Sequence, residues 1–133
     1  MRGVRVLVVD DSVTIRMALV AAFRNSSAQR LDIFEAGDAT SALRLFKQEL
    51  PDIVFLDMLL GNEKGLDLLR MFLNHRPGAR VVLMTGLDRD HPDVIQAISD
   101  GAFGYLQKPV RSSAIHAMLA LVDSESGAFG RII

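Results

Sequence analysis

Cysteine is absent from the 133 residues, which excludes disulfides, thiol catalysis and thiolate metal sites and is neutral as to compartment. An excess of either charge is also missing: 15 Lys and Arg against 16 Asp and Glu leave a net charge of −1, so no global field draws the chain to nucleic acid or to an anionic membrane. No apolar run reaches membrane-spanning length. The opening run Val4 to Val9 is too short for a signal core and ends in two acids, so a cytoplasmic protein without direct nucleic acid or membrane binding is expected. Internal repeats and low-complexity segments are lacking. His75, His91 and His116 show no helical i, i+4 pairing, which argues against zinc. What is present, 50% hydrophobic and 23% charged residues, suits one ordinary globular domain with a real core.

Four short apolar runs each stop on polar residues. Val4 to Val9 stops on Asp10 and Asp11, Ile53 to Leu56 on Asp57, Val81 to Met84 on Thr85 and Gly86, and a strand through Tyr105 and Leu106 on Lys108 and Pro109. A run without a gap, such as Ile53 to Leu56, reads as a strand covered on both faces of a parallel sheet. Taken alone, Asp57 reads as a turn residue or a helix cap. Four such strands in one open parallel sheet would instead bring their polar ends together outside the carboxyl edge. Three carboxylates gathered there repel unless a cation lies among them, and Asp10, Asp11 and Asp57 offer hard oxygen ligands of the kind Mg2+ takes. The pattern suggests a site for a metal and a phosphoryl group.

Between the strands lie helical patterns. Ser12 can cap a helix with Ile15, Leu19, Ala22 and Phe23 on one face, ending near Arg24. Leu31, Ile33 and Phe34 form a weaker second strand, interrupted by Asp32 and Glu35 and placed nearer a sheet edge. Asp38 can cap a helix carrying Ala39, Ala42, Leu43 and Phe46, which Pro51 punctuates. After a turn at Gly61 and Asn62, a third helix carries Leu66, Leu69, Phe72 and Leu73. Asp90 and Pro92 open a fourth with Val94, Ile95 and Ile98, closed by Asp100 and Gly101. Ser112 or Ser113 can cap a last helix with Ile115, Met118, Leu119 and Val122 buried. Strand then helix, five times over, predicts an α/β fold with helices on both faces of an open five-stranded parallel sheet, joined by right-handed crossovers. Residues from Ser124 onward read as a loose tail. The six methionines read as core filler, and Arg2, Arg5 and Arg16 as solvated charges, with Arg16 also a candidate for a partner's anionic groups.

These motifs resemble a response-regulator receiver domain of two-component signalling, chemotaxis-regulator-like, over about Val4 to Val122. The acidic pair Asp10-Asp11, then Asp57, Thr85 and Lys108-Pro109 stand in the family's order, with softer matches at Glu35-Ala36, Gly65 and Asp100-Gly101-Ala102. The resemblance implies a flavodoxin-like, doubly wound sheet of strand order 2-1-3-4-5, with residues 1–123 as receiver and 124–133 as flexible tail or start of a linker. It implies that Asp57 accepts a phosphoryl group from a sensor histidine kinase or a histidine phosphotransfer protein. Mg2+ would be held by Asp11 and Asp57, by Asp10 directly or through a water, and by the backbone carbonyl of Leu59. Thr85 and Lys108 would bind phosphoryl oxygens, the Lys108-Pro109 bond would be cis and aim Lys108 inward, and Thr85 with Tyr105 would form a switch. Tyr105 is otherwise an amphipathic surface tyrosine; in the family reading its ring is mobile and reshapes a face of helix four, strand five and helix five that engages an output protein or output domain. Such a domain is a signalling module that catalyses only its own phosphorylation and dephosphorylation.

Two other classes fit less well. A phosphohydrolase of the haloacid-dehalogenase type also uses a strand-end Asp with Mg2+, but needs a general acid two residues later, where Leu59 stands. A flavodoxin-like cofactor binder wants a Gly/Ser/Thr-rich phosphate loop after strand one, where Asp10 and Asp11 would repel a bare phosphate. Departures from the receiver pattern are Gly61, where Pro is usual, and Lys64, where an acid often stands; both suggest a more mobile loop after Asp57.

Overall fold

The computed structural model describes residues 3–26, 30–122 and 131–132. Strands β1 (Val4–Val9), β2 (Leu31–Ala36), β3 (Ile53–Asp57), β4 (Val81–Thr85) and β5 (Gly104–Gln107) form a parallel sheet in the order β2-β1-β3-β4-β5. Helices α1 (Val13–Ser26), α2 (Ala39–Glu49), α3 (Gly65–His75), α4 (Pro92–Asp100) and α5 (Ser112–Val122) connect them. The expected doubly wound architecture is what forms. Every residue of β3 and β4 is buried, as central strands covered on both faces must be.

Successive strand side chains point to opposite faces, and the two faces make separate cores. Leu7, Val9, Val54, Leu56, Val81 and Leu83 pack under α2, α3 and α4, where the rings of Phe46 and Phe72 stack at 4.4 Å between centroids. Val6, Val8, Ile53, Phe55, Val82 and Met84 pack under α1 and α5, where Phe23 meets Phe55 at 4.9 Å. Side chains of this size stabilise by about 1.5–3 kcal/mol each when fully buried. A register slip of one residue would exchange the two faces, so the buried pattern pins the level at which each strand ends.

Several local expectations are corrected. Helix α1 runs to Ser26 rather than ending near Arg24. Its start is as expected: the Ser12 hydroxyl accepts from the Ile15 N–H at 3.2 Å. The cap of α4 is His91, whose Nδ1 accepts from the Asp93 N–H at 3.1 Å, rather than Asp90, and Pro92 stands just inside the helix. Of the methionines, Met58, Met84 and Met118 are core residues, whereas Met17 and Met71 are exposed. The segment after β3, expected to be a turn only, is a small antiparallel hairpin in which Leu59–Leu60 pairs with Glu63–Lys64.

The tail also differs. Arg131–Ile132 forms a short strand β6 that pairs in parallel with β5, Arg131 opposite Gly104 and Ile132 opposite Tyr105. A helix that follows β5 returns the chain to the amino ends of the strands, so a sixth parallel strand at that edge continues the same crossover rule. The other residues from Ser124 onward lie outside the described residues.

Candidate functional site

Among the described residues, the buried polar or charged side chains are Asp10, Asp57 and Thr85, and all three stand at the carboxyl ends of neighbouring strands. The sheet register sets their common level: Val9 lies opposite Leu56 and Asp57 opposite Met84, so each polar residue follows the last fully apolar rung. Lys108, just past β5, is tied to the same level by its N–H, which donates to the Thr85 carbonyl at 2.8 Å. Its peptide bond to Pro109 is cis, as expected.

The charged atoms meet. The Lys108 ammonium lies 3.1 Å from Asp10 Oδ2 and 3.2 Å from Asp57 Oδ2. Asp10 Oδ1 accepts from the Ser12 N–H at 2.9 Å, and Asp57 Oδ1 from the Leu59 N–H at 3.1 Å. Asp11 is exposed, and its Oδ2 accepts from the Gly61 N–H at 3.1 Å. Candidate ligand oxygens of Asp10, Asp11 and Asp57 all lie within 4.8 Å of one another.

Burial pushes the Asp57 carboxyl above its ordinary pKa and the nearby Asp10 charge adds to this, although the Leu59 N–H and the Lys108 ammonium act the other way. For Lys108, burial by itself would lower the pKa, but Asp57 and Asp10 together outweigh it and hold the ammonium above its usual range. Three carboxylates against one ammonium leave the cluster two negative charges in excess. A divalent cation with oxygen preference fits that balance, and the donor set is the one Mg2+ or Ca2+ takes.

A second chain of contacts leads away from the site. Thr85 Oγ1 accepts from the Leu87 N–H at 3.1 Å, and the Leu87 carbonyl accepts from the Tyr105 hydroxyl. Gln107 Nε2 donates to Asp88 Oδ1 at 3.0 Å, a further tie between the same loop and β5. The Tyr105 ring is buried, 2% exposed, so it is not a half-buried surface tyrosine. Burial, and after it the Asp88 charge, raise its phenol pKa.

Two glycines have reasons that residue patterns did not supply. A Cβ on Gly65 would come within 2.5 Å of the Asp57 carbonyl oxygen and 2.6 Å of Met58 Cα, so α3 can begin directly against the Asp57 peptide only with glycine there. Gly61 takes a φ of 59° and gives its N–H to Asp11, two things a proline at this position could not do. The departure from the usual proline therefore ties the hairpin to the acidic pair rather than loosening it. Arg16 is also placed otherwise than expected: its side chain is 16% exposed and bonded to protein groups, not solvated. Arg2 lies outside the described residues, and Arg5 is partly covered, its guanidinium donating to the Glu49 carbonyl at 2.7 Å.

In an open parallel sheet the crevice outside the carboxyl ends of the strands is where ligands bind, and here it holds the acidic cluster and the lysine. The family described as response regulator receiver domain matches residues 6–120, and this chain belongs to that family. Among curated relatives, a protein-glutamate methylesterase/protein-glutamine glutaminase of Rhizobium etli is 38% identical over 105 residues, which is 79% of this chain and 30% of that protein. The receiver domain of the putative response regulator NarL from Mycobacterium tuberculosis superposes with a TM-score of 0.81 at 30% identity, covering 94% of this chain and 100% of that one. A Burkholderia pseudomallei response regulator with a phosphorylated aspartic acid, a calcium ion and citrate superposes with a TM-score of 0.76 at 27% identity, covering 91% and 67%. The chain spans less than half the length of the curated relatives it matches. No helix among the described residues is long and apolar enough to cross a membrane.

Proposed function

We propose that this domain takes a phosphoryl group onto Asp57 from the phosphohistidine of a sensor kinase or phosphotransfer protein, in a Mg2+-dependent step, and passes the change to its α4–β5–α5 face. The observation that carries this reading is the Lys108 ammonium shared by Asp10 and buried Asp57, with Asp11 alongside. Asp11 and Asp57, the Leu59 carbonyl, and Asp10 directly or through water are the residues that would hold the cation. Bound there, Mg2+ supplies charge neutralisation for the phosphoryl oxygens and for the carboxylates.

In the transfer, an oxygen of Asp57 forms a bond to phosphorus as the P–N bond of the donor breaks. The electron pair stays on the leaving imidazole nitrogen, which takes a proton from solvent. Lys108 moves its ammonium from the Asp57 oxygen to a phosphoryl oxygen, while its bond to Asp10 keeps it within reach. The Thr85 hydroxyl accepts from Leu87 and keeps its own proton free to donate to a second phosphoryl oxygen. Drawing Thr85 inward pulls on the Leu87 peptide, whose carbonyl holds the Tyr105 hydroxyl, so the ring and the face around it respond. Leu59 carries no acid with which to protonate a leaving group, which disfavours a phosphohydrolase that releases product.

Output then falls to a partner or attached domain docking on the α4–β5–α5 face, with no direct nucleic acid or membrane contact by this domain, and the cytoplasm, where kinases find ATP, is its place. Incubation with Mg2+ and a small acyl phosphate should add one phosphoryl group to the parent and none to Asp57→Asn. Undiminished labelling of Asp57→Asn would overturn the assignment.

A further inference from the structure

We infer that Arg16 is a positioning residue for the metal site, fixing the carboxyl ends of β1 and β2 so that Asp10 and Asp11 face Asp57. The inference rests on the reading of Asp10, Asp11 and Asp57 as a divalent-cation site. Arg16 Nη1 donates to the main-chain carbonyl of Asp10 at 2.5 Å, and Nε donates to Glu35 Oε1 at 3.3 Å. The N–H of the same Asp10 donates to the Ala36 carbonyl at 3.1 Å. Both backbone polar groups of Asp10 are thus bound, one to the end of β2 directly and one through a guanidinium that itself holds the end of β2.

The guanidinium has a place made for it. A Cβ on Gly37 would lie 3.0 Å from Nη1, so glycine after β2 leaves the room that the Arg16 fork needs. A lysine could reach one of these acceptors but not span both, because its donors radiate from a single nitrogen. The chain turns sharply just beyond the clamped carbonyl, where Ser12 N–H holds Asp10 Oδ1 and Asp11 leans toward the Gly61 N–H. With the carbonyl released, the acidic pair loses the fixed origin from which its carboxylates reach the cation. Outer partners of this kind typically change metal affinity by about 10–100-fold when removed.

Arg16, a candidate for a partner's anionic groups by sequence, here turns Nε and Nη1 inward to Glu35 and Asp10. Mg2+ affinity measured by isothermal titration calorimetry, on the parent and on Arg16→Ala, Arg16→Lys and Gly37→Ala, tests the inference. Dissociation constants should rise by about tenfold or more for Arg16→Ala and by less for Arg16→Lys. Gly37→Ala, which keeps every charge and crowds only the guanidinium, should also weaken binding, and it serves if Arg16→Ala fails to fold. Unchanged Mg2+ affinity in folded Gly37→Ala and Arg16→Lys, with only melting temperature altered, makes Arg16 a purely structural tie and overturns the inference. A parent that binds no Mg2+ refutes instead the metal-site reading on which it rests.

Discussion

Replacing Lys108 with methionine keeps the apolar stem and removes the one ammonium that offsets Asp10 and Asp57. Breaking a fully buried charge pair costs about 3–5 kcal/mol, because the partner is left buried and uncompensated. Asp10 is fully buried, but the Lys108 side chain is 24% exposed, so water can enter the vacated space and the cost falls to roughly 2 kcal/mol. For a domain of this length that is a drop of roughly 6–10 °C in melting temperature. Lys108 keeps its ammonium above its ordinary pKa of 10.5, so the interaction is fully present at neutral pH and is lost as pH rises through that higher folded value. A divalent cation replaces part of the missing positive charge, and at a concentration of about 100 dissociation constants it stabilises by about 2.7 kcal/mol. Thermal melts of parent and Lys108→Met, in chelator and in millimolar Mg2+ at low ionic strength, should show a wide gap in chelator that narrows with Mg2+. A variant that melts within about 2 °C of the parent in chelator, or a gap that Mg2+ leaves unchanged, would refute the charge balance drawn for this site.

Asp57→Asn should melt higher than the parent in chelator near neutral pH. The folded pKa of Asp57 lies above the 3.8 of the free carboxyl, so the destabilisation is absent below 3.8, grows as pH rises from there toward the folded value, and is constant above it. The difference should therefore close on acidification; a gap that stays constant with pH argues against it. Gly65→Ala should destabilise by about 2–3 kcal/mol in urea unfolding, since the new Cβ meets backbone atoms that cannot step aside. Leu59 is 63% exposed beside Asp57, and a polar side chain there can hold an attacking water where leucine cannot, so Leu59→Asn should shorten the life of the phosphorylated form. Decay no faster than that of the parent would show that Leu59 does not limit the approach of that water.

The strands and the polar residues that end them were legible in the sequence because both are local. An unbroken apolar run of four residues signals burial on two faces, and the first polar residue after it stands at the strand's carboxyl end. Asp10, Asp57 and Thr85 were named as strand ends on this ground, and they are the buried polar side chains the fold displays among the described residues. Residue pattern did not determine what these ends do to one another. Asp10 and Lys108 are 98 residues apart, and their contact depends on the order in which crossovers lay β1, β3, β4 and β5 side by side. Tyr105 reads locally as amphipathic, and only tertiary packing buries its ring in the core under α2, α3 and α4 and gives its hydroxyl the Leu87 carbonyl. Arg16 reads as one more surface charge, since nothing within a helical turn of it shows that Asp10 and Glu35 will meet there. Neighbours in sequence decide where a strand stops; neighbours in space, brought together by register and crossover, decide which stopped ends share a proton, a cation or a hydrogen bond.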